Sequence, residues 1–223
     1  MLATPIYIIC SPSPQVGKTL ASRLMSEFLL LKNGTALSFD INLKEPSLVD
    51  YLPNITETAD VIDTYGKMQL MDRLILHDRV AKVIDLGFHA FDEFFKMCEE
   101  IGFIKEALRR RVAPVILFVA GTDRASSRSY EMLRWRIPPW ALITVHNEFM
   151  LRGELPEAMD GARVLHFSAL PVFLKTYIDR LSFSFTGYLR KEKDTSTELH
   201  QWSRRNYIML RDLELMAMPQ PSS

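Results

Sequence analysis

The chain of 223 residues has only two cysteines, Cys10 and Cys98. That is too few for a disulfide framework and fits a reducing compartment. It has no surplus of either charge, with 27 Lys+Arg against 27 Asp+Glu, so no global field draws it to nucleic acid or to a membrane. No apolar run approaches the length of a membrane span. The short apolar stretch near the N-terminus lacks the basic region of a secretory signal, so the expectation is a cytoplasmic protein. Five histidines (His77, His89, His146, His166 and His200) show no metal-ligand spacing, and two lone cysteines make no zinc site. There is no G-x-S-x-G elbow for a serine nucleophile and no internal repeat. At 48% hydrophobic and 24% charged, the remainder is an ordinary globular chain long enough for a large core.

The most informative stretch is residues 6–24. An unbroken apolar run, 6–10, enters a turn rich in Ser and Pro that closes on Val16-Gly17-Lys18-Thr19. Leu20, Leu24, Phe28 and Leu31 then recur at helical spacing. Strand, phosphate loop and helix is the geometry a nucleoside triphosphate needs, because backbone N–H groups at the helix start face the phosphates with the helix dipole behind them. Lys18 reaches the β- and γ-phosphates in this reading, and the Thr19 hydroxyl binds Mg²⁺. The pattern departs from G-x-x-x-x-G-K-[ST] at Pro12, and Pro14 also lacks an N–H. The expected donors are the later residues, Gln15, Val16, Gly17, Lys18, Thr19 and Leu20, and all of them keep theirs.

Asn33-Gly34 reads as a helix C-cap, and 35–40 as a second strand ending in Asp40-Ile41-Asn42. Residues 53–79 suggest a short strand and a helix. Residues 80–87 read as a third buried strand that ends in Asp85 and then Gly87. An aspartate at a strand tip can hold Mg²⁺ directly or through water, and a glycine beyond it lets backbone approach a terminal phosphate; a solvated Asp-turn is the plainer reading. One amphipathic helix is expected through Phe91, Phe94, Cys98, Ile101, Ile104 and Leu108, ending in Arg109, Arg110 and Arg111. Further strands are expected at 115–120, 141–145 (running on to His146-Asn147-Glu148) and 164–167, with a helix at 126–136 and another from Pro171 to about 189. Nearly wholly apolar strands alternating with helices mean an α/β fold, a doubly wound, mostly parallel sheet with helices on both faces, of the P-loop NTPase type. The organisation expected is a nucleotide-binding domain over 1–190 and a C-terminal helix and tail over 191–223. In that helix Leu199, Trp202, Asn206, Met209, Leu213 and Met216 form a stripe, suited to packing on its own domain or, with Asn206 as a polar seam residue, on a partner helix.

With these motifs in this order, the chain over roughly residues 4–185 resembles the ParA/MinD family, deviant Walker-A ATPases that partition plasmids, chromosomes or protein cargo. The resemblance implies ATP (or ADP) with Mg²⁺ as ligand. Lys18 would then hold phosphate and Thr19 the metal, assisted by Asp40 and Asp85; Gly87 would sense the γ-phosphate and Asn147 would lie near the adenine. The family's extra lysine, which crosses to the partner's nucleotide in an ATP-sandwich dimer, falls at Ser13, and the second acid of its D-x-D falls at Asn42. Together these imply slow or absent hydrolysis and a weakened homodimer.

The same family binds DNA non-specifically through basic residues. Residues 105–136 carry eight basic side chains, Arg109, Arg110, Arg111, Arg128 and Arg134 among them, against three acidic ones. Solvated helix-end arginines account for the same pattern. A membrane-targeting C-terminal helix is not expected, because Asp212 and Glu214 lie on it. Two other readings stay open. The V-G-K-T-x-A-S run is also similar to dethiobiotin synthetase, though no second lysine follows the second strand in the expected substrate motif. Pro12, Ser13 and Asn42 equally suit a pseudo-NTPase scaffold that kept the fold and lost the nucleotide.

Overall fold

A computed structural model describes residues 3–41, 47–76 and 78–216 of the chain. Asn42, expected at the second-acid position, lies outside the described residues. The first half runs β1 (Thr4–Cys10), α1 (Lys18–Asn33), β2 (Leu37–Asp40), α2 (Leu48–Tyr51), β3 (Thr56–Thr58), α3 (Thr64–Ile75) and β4 (Lys82–Asp85). The second runs α4 (Phe91–Glu100), α5 (Phe103–Arg109), β5 (Val112–Val119), α6 (Arg124–Arg136), β6 (Leu142–Asn147), β7 (Val164–Phe167), α7 (Val172–Ile178), α8 (Phe185–Lys191) and α9 (Glu198–Met216).

Among the described residues the strands form one sheet in the order β3-β2-β4-β1-β5-β6-β7, and every pairing is parallel. Side chains alternate between its two faces. Tyr7 and Ile9 of β1 and Val115, Leu117 and Val119 of β5 pack with α1, α8 and α9. Ile6, Ile8 and Cys10, with Ile116 and Phe118, pack with α3, α4, α5 and α6. Both faces are therefore covered, which is why these strands read as continuous apolar runs. The expected doubly wound parallel fold of the P-loop NTPase type is the fold observed.

The chain leaves β1 toward β2 on one side of the sheet and leaves β5 toward β6 on the other. Ligands of open α/β sheets bind in the crevice at such a reversal, beyond the carboxyl ends of the strands. The parallel register brings the ends of β1, β2, β4 and β6 to that one edge, with Asp40 paired directly beside Asp85.

Two expected helices are each broken into two. The long helix over Phe91–Leu108 stops at Gly102, which adopts φ 61 and restarts the chain as α5. The restart shifts the phase of the apolar stripe. Phe103 and Ala107 enter the core, while Ile101, expected inward, is half exposed. The helix expected from Pro171 to 189 is interrupted between α7 and α8, where Ser184 caps a new N-terminus by accepting from the Gly187 N–H. In α9, Leu199, Trp202, Leu210 and Leu213 belong to the core, and Trp202 Nε1 donates to the Ser168 carbonyl at 2.7 Å. Asn206 is buried with them and donates to the carbonyl of Trp202 one turn back, so that face of the helix is spent on the fold. No helix among the described residues is long and apolar enough to cross a membrane.

Candidate functional site

The loop after β1 is shaped by two residues with positive φ, Gln15 (φ 55) and Gly17 (φ 94). Such reversals turn neighbouring N–H groups into one concavity, the arrangement that accepts anions. Gly17 is the N-cap of α1 and no side chain caps the helix there. The first-turn N–H groups of α1 have no partner within the helix.

Glycine is required at position 17 for two reasons. A Cβ would strain the backbone at this φ and would sit 2.1 Å from Nδ2 of Asn147. Asn147 comes this close because its amide donates to the Val16 carbonyl at 2.9 Å, while its Oδ1 accepts from the Phe149 N–H at 3.3 Å. The end of β6 thus braces the loop after β1. Sequence reasoning placed Asn147 at this edge, but the brace itself has no sequence signature.

Lys18 is buried, and its Nζ donates to the carbonyl of Ser13 at 2.8 Å, curling back over the loop. It also lies 5.8 Å from the centre of the Phe88 ring. Thr19 Oγ1 donates to Oδ2 of Asp85 at 2.8 Å, joining the head of α1 to the tip of β4. Asp85 is fully buried and its Oδ1 has no hydrogen-bond partner among the described residues. Burial pushes its carboxyl up from 3.8 to about 6; the Thr19 hydroxyl works against that rise and the charge of Asp40 adds to it. Asp40 is buried beside it and accepts from the N–H of Val49 at 3.0 Å. Gly87 follows β4 with an ordinary φ of −58 and caps a short 3-10 turn, so its conformation does not itself demand glycine.

Ser13 faces inward. It is buried, and its hydroxyl donates to Oδ2 of Asp123 at 2.5 Å; Asp123 also caps α6 by accepting from the Ser126 N–H. The loop is therefore tied to β6 through Asn147 and to the start of α6 through Ser13.

The loop opens on a cavity of about 450 Å³. Gly17, Lys18 and Thr19 line one part; Arg23, Tyr51, Phe149 and Lys175 line another. Sequence reasoning missed these last four. Arg23 is almost wholly buried, donates to the carbonyls of Ile178 and Phe183 at 2.9 and 3.2 Å, and stacks 3.9 Å from the Tyr51 ring. Burial pushes its guanidinium down, opposed by Glu27 one turn on. Glu27 in turn accepts from the Ser184 hydroxyl at 2.6 Å and the Thr186 N–H at 2.9 Å. A signal did exist, since Arg23 and Glu27 are charged residues four apart inside the otherwise apolar face of α1.

The arginines expected as a basic patch are partly neutralised. Arg109 and Arg110 both bond Glu106, and Arg136 bonds Glu99. Arg111, Arg128 and Arg134 make no ion pair with a described residue. Among the described residues no three His, Cys, Asp or Glu side chains cluster as metal ligands. The chain matches no family model, and no curated protein matches it.

Proposed function

We propose that the chain is a nucleotide switch of the ParA/MinD kind. It binds ATP with Mg²⁺, hydrolyses it slowly or not at all, and acts through a partner in partitioning or positioning DNA or protein cargo. The observation that carries this reading is the bond from Thr19 to Asp85 at the mouth of the loop after β1. It places a hydroxyl and a carboxylate together where a phosphate-bound metal would need them.

The donor set fits Mg²⁺, which takes one or two protein oxygens and completes its shell with phosphate and water. Thr19 and Asp85 would hold it, with Asp40 alongside, and the unpartnered Oδ1 of Asp85 leaves an acceptor for a bound water. When bound, the metal neutralises charge on the β- and γ-phosphates. The chain's own residues would do the rest. Lys18 would exchange the Ser13 carbonyl for phosphate, the N–H groups of Gln15 to Leu20 would cradle it, and Gly87 would report the γ-phosphate. Asn147 would keep the loop in shape beside the adenine. Slow hydrolysis follows from Asn42, which lacks a carboxylate to order the attacking water. A weakened homodimer follows from Ser13, which is neutral and engaged with Asp123. Contact with DNA would fall to Arg111, Arg128 and Arg134.

The pseudo-NTPase reading is favoured by one observation: the loop satisfies Lys18 and Val16 internally, through Ser13 and Asn147. Thermal unfolding with saturating Mg-ATP separates the two. A switch gains stability by mass action, about 2.7 kcal/mol at one hundred times Kd. A relic gains none, and an unchanged Tm would overturn the nucleotide reading.

A further inference from the structure

The far end of the sheet from β7 carries a surface unrelated to the nucleotide cavity. α3 buries Leu70, Met71 and Leu74 beneath it and leaves large apolar side chains in water above it. Ile62 is 86% exposed, Tyr65 71%, Met68 62% and Leu76 52%. Across from Met68, Ile101 is 51% exposed because the break at Gly102 turns it outward. Single exposed apolar residues need no explanation, whereas a group on one helix and its neighbour marks an interaction surface.

α3 lies between two hollows. One, of about 560 Å³, runs along the sheet edge past Phe39 and Tyr65. The other, of about 420 Å³, lies toward α4 and α5 and is floored by Met68, Met71, Met97 and Phe103. Methionine adapts its shape to whatever packs on it and is favoured on surfaces that receive helices.

The charge around these hollows is one-sided. Their linings hold six acidic residues (Glu57, Asp60, Asp63, Asp72, Glu100 and Glu106) against two basic ones, Lys67 and Arg73. Arg73 is paired with Glu57, and Lys67 with Glu93 beyond the rim. Glu100 is paired with Lys96 and Glu106 with Arg109 and Arg110, while Asp72, which lines both hollows, makes no ion pair with a described residue. A chain with equal numbers of acidic and basic residues thus has a local excess of acidic groups lining the hollows beside these exposed apolar side chains.

We propose that the α3 face docks a basic amphipathic helix of a partner protein. The helix lays its apolar side chains over Met68 and Ile101 and its Lys or Arg side chains against Asp72 and the neighbouring acids. The apolar contacts supply affinity, and the charges supply orientation and association rate.

The test titrates the whole chain against a fluorescent model helix of leucines and lysines, with a leucine–glutamate helix of the same pattern as control. Saturable binding of the Leu–Lys helix is expected. It should weaken about tenfold in Met68→Lys and in Ile101→Lys, weaken with added salt, and be absent for the Leu–Glu helix. Both substituted side chains are more than half exposed, so the variants should keep the wild-type circular dichroism. No saturable binding, wild-type affinity in both variants, or equal binding of the acidic helix would overturn the proposal. Self-association of the wild type that is lost in Met68→Lys would instead assign the face to a second copy of this chain.

Discussion

The side-chain amide of Asn147 reaches across the sheet edge to the carbonyl of Val16, and a Cβ on Gly17 would collide with it at 2.1 Å. Gly17→Ala should therefore unfold at lower urea, by about 1–3 kcal/mol for backbone strain at φ 94 plus the clash. Asn147→Ala strands a buried carbonyl and should cost about 1–3 kcal/mol by itself. In the double variant the clash disappears. Its loss should be smaller than the sum of the two singles, a coupling that urea denaturation of all four proteins measures directly.

Asp85 supplies a pH signature. Its carboxyl is raised from 3.8 to about 6 by burial, so the folded state binds more protons than the unfolded chain across that interval. Its contribution to stability is therefore most favourable below 3.8 and is lost as the pH rises through about 6, on the order of 3 kcal/mol in all. Asp85→Asn should remove this slope and make the ligand-free protein more stable than wild type at neutral pH. The binding of Mg-ATP should run the other way. It should weaken in the wild type as acidification through about 6 protonates Asp85, and it should be weak at every pH in the variant. Denaturation and binding measured on both proteins on either side of the titration at about 6 check the two signs together.

Arg23 ties α1, the helix that follows the loop after β1, to the end of α7 and the segment between α7 and α8. Arg23→Met keeps the volume but leaves the carbonyls of Ile178 and Phe183 without their donor and Glu27 without its neighbouring cation. The expected loss is about 3 kcal/mol, with increased hydrogen exchange in residues 178–186. Unchanged exchange there would show that the clamp is not what holds the segment.

Ser13 pins the loop to α6 through Asp123. Ser13→Ala should cost about 1 kcal/mol in urea denaturation, the net worth of a hydrogen bond. Its ATP affinity should also fall, because the loop whose N–H groups would cradle the phosphates is no longer held against α6 before binding. Wild-type affinity in this variant would separate the pin from the site.

The fold was legible because its signals were local and redundant. The runs through β1, β4 and β5 are apolar on both faces, and Gly34 ends α1 with φ 74, as the Asn33-Gly34 pair predicts. The two broken helices were not legible. Ile101 and Ile104 continue the spacing of Phe94 and Cys98, so periodicity carried through Gly102 although the backbone there is left-handed. The interruption between α7 and α8 depends on Arg23, more than 150 residues earlier in the chain. The site divides the same way. Gly17, Lys18, Thr19 and Asp85 follow from short motifs at strand ends. Asp123 and the contact from Asn147 to Val16 depend on which strands end up adjacent, and no spacing along the chain encodes that.

The most direct test is a titration of a fluorescent ATP analogue with Mg²⁺, run on the wild type and on Lys18→Ala. The account predicts saturable binding by the wild type, lost in the variant and sharply reduced when Mg²⁺ is withheld. Equal, negligible signals from both proteins would contradict it and leave the loop after β1 as a structural turn.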